Sequence, residues 1–176
     1  MTSGRHTGTT FIRKGDWFMK KRRWLILLLV LIGMAAGTSW AVDLEALDRV
    51  SILMPKSKVL SILGPPDEVG DIGHQLKADI YRLSDKMAPM IGAGCVYDEK
   101  QILAATAFIF QGAVGEETAN RIKEAGFTYI GEKEGATRLA GKDDDTGLPV
   151  VVTVVENGGL TTVITFEKGF YDRNVK

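Results

Sequence analysis

The acidic triplet Asp143-Asp144-Asp145, followed by Thr146-Gly147, is the sharpest chemical cluster in the chain. Three carboxylates could supply part of a calcium shell. Calcium loops, however, usually alternate their ligands, so that the side chains converge. Adjacent aspartates diverge, and a solvated acidic hairpin loop is the expectation. Past residue 41 there is one histidine, His74, in a Gly-rich polar loop. A two-histidine metal site within one chain is therefore excluded. The single cysteine, Cys95, lies in the apolar stretch Ala93 to Tyr97 without an adjacent Lys, Arg or His to lower its pKa. It reads as a packed thiol. Gly92-Ala93-Gly94 is not followed by a helix, so it is no phosphate loop. No Gly-x-Ser-x-Gly elbow is present. The expectation is a protein without catalytic residues, cofactor or bound metal. An envelope enzyme without a sequence signature remains a minor alternative.

Polarity along the chain says where it is expected to act. Lys20-Lys21-Arg22-Arg23 precedes an apolar run, Trp24 to Ala36, and then Gly37-Thr38-Ser39-Trp40-Ala41. This is the order of a secretory signal peptide over residues 19–41, with cleavage between Ala41 and Val42. Trp24 to Val42 is also an uncharged run of 19 residues. An uncleaved membrane anchor is therefore the alternative. No cysteine follows the run, so no lipid attachment site is expected. Met19 opens the signal directly, and residues 1–18 read as translated leader DNA ahead of the true start. The expected location is periplasmic or secreted.

The whole chain balances 22 basic against 22 acidic residues. Residues 1–41 hold seven of the basic and one of the acidic ones, which leaves 15 against 21 and a net charge of −6. That argues against nucleic acid, whose phosphates require a cationic face. It also leaves no basic patch for anionic lipid.

Behind the signal, residues 42–176 suffice for one ordinary domain held by packing alone. Asp43 is a candidate N-cap for a helix carrying Leu44, Leu47 and Val50. Pro55 starts a second helix, with Val59, Leu60, Ile62 and Leu63 on one face. Gly64-Pro65-Pro66 stops it, with Gly64 expected as a left-handed cap and proline unable to continue the helix. A polar loop is expected over Asp67–Gly73, then strands over Leu76–Leu83, Met90–Tyr97 and Ile102–Phe110. A helix over Glu116–Ala125 follows, and then strands over Phe127–Glu132, Ala136–Ala140, Val150–Glu156 and Leu160–Phe166. Asn157-Gly158-Gly159 is the strongest hairpin signal. Residues 169–176 read as a polar tail. The expected fold is α+β: an ααβββ unit over 42–112 and an αββββ unit over 113–168, a candidate degenerate repeat, with helices packed on antiparallel sheet.

The segment Leu53-Met54-Pro55-Lys56-Ser57-Lys58-Val59-Leu60-Ser61-Ile62-Leu63-Gly64-Pro65-Pro66-Asp67 resembles the opening of the SmpA/OmlA (BamE-like) domain. That family shows a turn, a short helix with an inward Val, and Leu-Gly-x-Pro; here these are Val59 and Leu63-Gly64-Pro65-Pro66. Tyr81 and the Tyr97-Asp98-Glu99-Lys100-Gln101-Ile102 hairpin extend the resemblance over roughly residues 44–110. Departures are Met54-Pro55 in place of Gly-Met, a hairpin turn without Gly, and the missing lipid-attachment Cys. The tandem arrangement is also similar to proteins like the β-lactamase inhibitor protein. Both resemblances imply binding rather than catalysis: an accessory of outer-membrane assembly or scaffolding that contacts an envelope protein, or alternatively a secreted inhibitor of an enzyme. The contacting surface would be a sheet face or the Leu63-Gly64-Pro65 corner.

Overall fold

A computed structural model describes residues 42–72 and 76–176. The expected signal segment (19–41) with its expected cleavage site at Ala41, residues 1–18 and His74 lie outside the described residues. Eight strands form one antiparallel sheet: β1 (Glu68–Asp71), β2 (Lys77–Arg82), β3 (Met90–Tyr97), β4 (Leu103–Gln111), β5 (Thr128–Lys133), β6 (Ala136–Lys142), β7 (Pro149–Asn157) and β8 (Leu160–Glu167). The spatial order is β1-β2-β3-β4-β8-β7-β6-β5. Two four-stranded meanders thus meet along one seam, where Ala107 faces Ile164 and Phe108 faces Val163.

This overturns the expected α+β arrangement, an ααβββ unit followed by an αββββ unit with helices packed on antiparallel sheet. One continuous sheet is the body of the described structure, and the helices among the described residues are short. They are α1 (Leu44–Asp48), α2 (Lys56–Leu63), α3 (Gly115–Glu124) and α4 (Lys168–Asn174). The first half has four strands rather than three, because β1 occupies the expected polar loop. Backbone pairing to β2 makes it a strand although its side chains are largely exposed. The expected polar tail is instead largely α4. Glu167 caps it, accepting from the backbone N–H of Gly169 and Phe170 at 2.7 and 2.6 Å. Phe170 and Tyr171 then fold back onto Phe166.

Alternation along the strands gives the sheet two apolar faces. On the first, Leu47, Ile52, Val59 and Leu63 pack over Tyr81, Ala93, Cys95 and Leu103, while Ala119 and Ile122 of α3 share the same core with Leu139, Val152 and Val154. On the second, α4 packs among Ala105, Val151, Ile164 and Phe166. β4 is buried on both sides, as its weak alternation suggests. Ala104 departs from that alternation and joins Ala105 in the second core. A register shift between Val96 and Tyr97, opposite it, accounts for the change of side.

Local chemistry explains the joints. Asp43 Oδ1 accepts from Ala46 N at 2.7 Å and caps α1. The β3–β4 turn has no glycine. Asp98 Oδ1 holds it by accepting from Lys100 N and Ile102 N at 2.9 and 2.8 Å, and Gln101 takes φ +60°.

Candidate functional site

Two surfaces gather polar or exposed apolar groups. The first is the corner where α2 meets β2. Val59 is fully buried and Leu63 is buried, so the α2 face points into the core. Gly64 has φ +79° and ψ −170°. This is extended backbone of the mirror-image kind, open essentially to glycine alone, and not the left-handed helical cap expected from the sequence. Its carbonyl lies 3.5 Å from the Tyr81 hydroxyl. Pro65 is exposed at the tip. Asp67 then fixes the chain to β2, its Oδ2 accepting from Arg82 N at 2.6 Å.

Under the start of α2 lies a polar group that sequence reasoning missed. Asp79 is buried, and Lys56 Nζ sits 2.8 Å from its Oδ2 and 3.1 Å from its Oδ1. The same ammonium lies 4.7 Å from the centre of the Tyr97 ring. Tyr81 and Cys95 complete the neighbourhood; Asp79 faces Cys95 in register. Burial pushes the Cys95 thiol up to about 12, and the nearby Asp79 carboxylate adds to the shift. Both tyrosine hydroxyls are held well above their usual range, again chiefly by burial. Groups so shifted stay protonated at neutral pH. They can pack and donate hydrogen bonds, but they are not prepared to attack or to accept protons. The strand pattern carried one usable signal: Asp79 stands two residues before the buried Tyr81 and so shares its face.

The second surface is at the far edge of the sheet. α3 packs on β6 and β7. Between it and β5–β6 runs a cleft of about 410 Å³, lined by Gly115, Glu116, Lys123, Tyr129, Glu132 and Glu156 among others. The Glu156 carboxylate accepts a short hydrogen bond from Gly115 N at the first turn of α3. A Cβ on residue 115 would fall 2.6 Å from that carboxylate oxygen, so glycine permits the contact. Lys123 Nζ lies 5.5 Å from the centre of the Tyr129 ring. Beyond the cleft, β5 pairs only with β6 among the described residues. It bears exposed Tyr129 and Ile130.

No family model, curated protein or solved structure matches the chain.

The other residues singled out from the sequence are placed as follows. Val42 is buried and forms a bridge with Leu83. Gly92 and Gly94 are mid-strand in β3, where a Cβ on Gly94 would come 3.3 Å from that of Ala107. Close packing accounts for that glycine. Asp143 closes the β6–β7 turn, its Oδ1 accepting from Thr146 N at 2.8 Å and from Thr146 Oγ1 at 2.6 Å. Val59, Leu63, Gly64 and Pro65, singled out by the resemblance, lie at one corner, the end of α2. Asp143 to Asp145 lie apart from them, in the β6–β7 hairpin. Among the described residues, no helix is long and apolar enough to cross a membrane.

Proposed function

We propose that this chain is an exported cell-envelope protein that works by binding another protein, as an accessory to assembly or scaffolding. The observation that carries the reading is the pair of open sheet edges. β1 presents Val69 and β5 presents Tyr129 and Ile130, all exposed, beside backbone that pairs on one side only among the described residues. Unpaired edges with apolar side chains are templates for association. Export is supported by the cationic and apolar order of residues 20–41, and the net charge of −6 beyond them favours a protein over nucleic acid or anionic lipid. The likeness of residues 53–67 to the SmpA/OmlA opening supports the same class of function.

The test is photo-crosslinking in intact cells, with a crosslinking amino acid placed at Val69, at Ile130 or at Pro65. The expected result is one discrete adduct with an envelope protein from at least one position, absent when the crosslinker sits at exposed Glu99. Absence of any discrete adduct from all three positions would refute the reading.

A further inference from the structure

The two open edges differ in what they offer. β1 is four residues long and bracketed by Glu68 and Asp71, so it offers a shorter edge than β5 with a single exposed apolar side chain, Val69. β5 is six residues long and places different charges on its two sides. On the α3 side, Glu132 faces Thr137, and both line the cleft with Glu116 and Glu156; Lys123 is the one cation among the cleft's lining residues. On the opposite side, Gly131 faces Arg138. Arg138 forms no ion pair among the described residues. Its Nη1 reaches the Tyr171 hydroxyl at 3.4 Å and its Nη2 the Glu132 carbonyl at 3.5 Å, both long, and its Nε has no hydrogen-bond partner among the described residues. Arginine guanidinium is suited to a planar carboxylate, and none is supplied here.

We propose that the β5 edge takes up an extended segment of a partner protein, with a basic side chain on the cleft side and an acidic side chain on the Arg138 side. The inference rests on the protein-binding reading above and names the surface and the partner's chemistry. An added strand alternates its side chains between the two faces of the sheet. A basic residue then enters the cleft among Glu116, Glu132 and Glu156, and its neighbour of opposite charge meets Arg138. Tyr129 and Ile130 supply the apolar contact at the other end of the strand. Gly131, at the register shift between Tyr129 and Gly131, leaves room for the Arg138 side chain; a Cβ there would come 3.4 Å from Nη2.

A second copy of this chain fits poorly. Two β5 strands pairing antiparallel are related by a two-fold axis perpendicular to the sheet, which keeps like faces together. Glu132 would meet the acidic side of its mate, and Lys133 would join Arg138 on the other side. Like charges brought together in this way oppose pairing.

The experiment titrates the protein, purified as its host exports it, with short extended Thr- and Val-rich peptides that carry Lys on one face and Glu on the other. Controls are a scrambled peptide with mixed faces and the same peptide with N-methylated backbone on its pairing edge. Binding that saturates below millimolar, is lost on N-methylation and weakens about tenfold in Glu132→Lys supports the proposal. So does recovery of Glu132→Lys by a peptide bearing Glu in place of Lys. Equal binding of the scrambled or N-methylated peptide would overturn it, as would no binding at all. Self-association abolished by Ile130→Lys would overturn it in favour of a second copy. If cellular crosslinks arise from Val69 or Pro65 but not from Ile130, the protein-binding reading stands and this inference fails.

Discussion

Replacing Lys56 by Met should destabilise the protein more than replacing its partner Asp79 by Asn. The Asp79 side chain is 4% exposed and that of Lys56 30%. Loss of the ammonium leaves a buried carboxylate between Tyr81 and Cys95 without its counter-charge. Removing one member of a fully buried pair costs about 3–5 kcal/mol, and the partial exposure of Lys56 argues for the lower end, about 3 kcal/mol. Part of this is the contact with the Tyr97 ring, worth about 0.5–1 kcal/mol. Asp79→Asn removes the buried charge and leaves Lys56 able to turn to water, so about 1–2 kcal/mol is expected. The double variant should cost less than the two single changes together, with a coupling of about 1–2 kcal/mol. Urea unfolding at neutral pH, followed by fluorescence and by circular dichroism, measures all three against the parent. Equal costs for the two single changes, or additivity within about 0.5 kcal/mol, would refute the argument that the carboxylate depends on Lys56.

Gly64→Ala should cost about 1–3 kcal/mol from backbone strain alone, because a Cβ there has nothing within 4 Å to strike; Gly64→Val should cost more, and an unchanged melting temperature would count against the positive φ. Cys95 should resist thiol reagents in the native state at pH 8 and react fully in urea; ready native labelling would contradict its burial. Its folded pKa of about 12 lies above the ordinary 9.0, so the stability it contributes is present below pH 9 and is lost as pH rises toward 12, at up to about 1.4 kcal/mol per pH unit. The raised tyrosines act in the same direction, and a urea midpoint that holds constant from pH 8 to 11 would contradict this. Asp98→Ala should cost about 1–2 kcal/mol by freeing two turn N–H groups, read as a lower urea midpoint with an unchanged slope.

Seven strands were legible in the sequence because they combine β-branched and aromatic residues with strong turn signals such as Asn157-Gly158-Gly159. Their ends moved by a residue or two: β6 and β7 run past the apolar core of the strand along the ladder, and β2 stops short of it at both ends. β1 was hidden because Glu68-Val69-Gly70-Asp71 has the composition of a loop, and only pairing with β2 makes it a strand. α4 was hidden because Lys168-Gly169 is a poor helix start; a Glu167 cap and the contacts of Phe170 and Tyr171 outweigh that propensity. Joining of the two meanders left no local mark, since the partners of β4 on β8 are far away in sequence. Of the candidate site, the inward face of α2 with Val59 and Leu63, and its stop at Gly64, were legible from the apolar spacing and from Gly64-Pro65-Pro66. The Lys56–Asp79 pair and the lone Arg138 were not, because each becomes distinctive only through neighbours that the fold supplies.

The β4·β8 seam has a consequence for how the chain can fold as it is synthesised, N-terminus first. β1 to β4 form by local hairpin pairing as soon as they emerge. β8 is the last of the described strands, so β4, with Ala105, Ala107, Phe108 and Phe110, waits with one side bare until β5 to β7 and then β8 itself have followed it. An exposed, apolar, half-paired strand in the middle of the future sheet is the element most prone to capture by another chain. A chain halted before β8 is made should therefore be a sticky half-molecule rather than a smaller stable one, and its exposure to capture and proteolysis should rise with the time between completion of β4 and of β8.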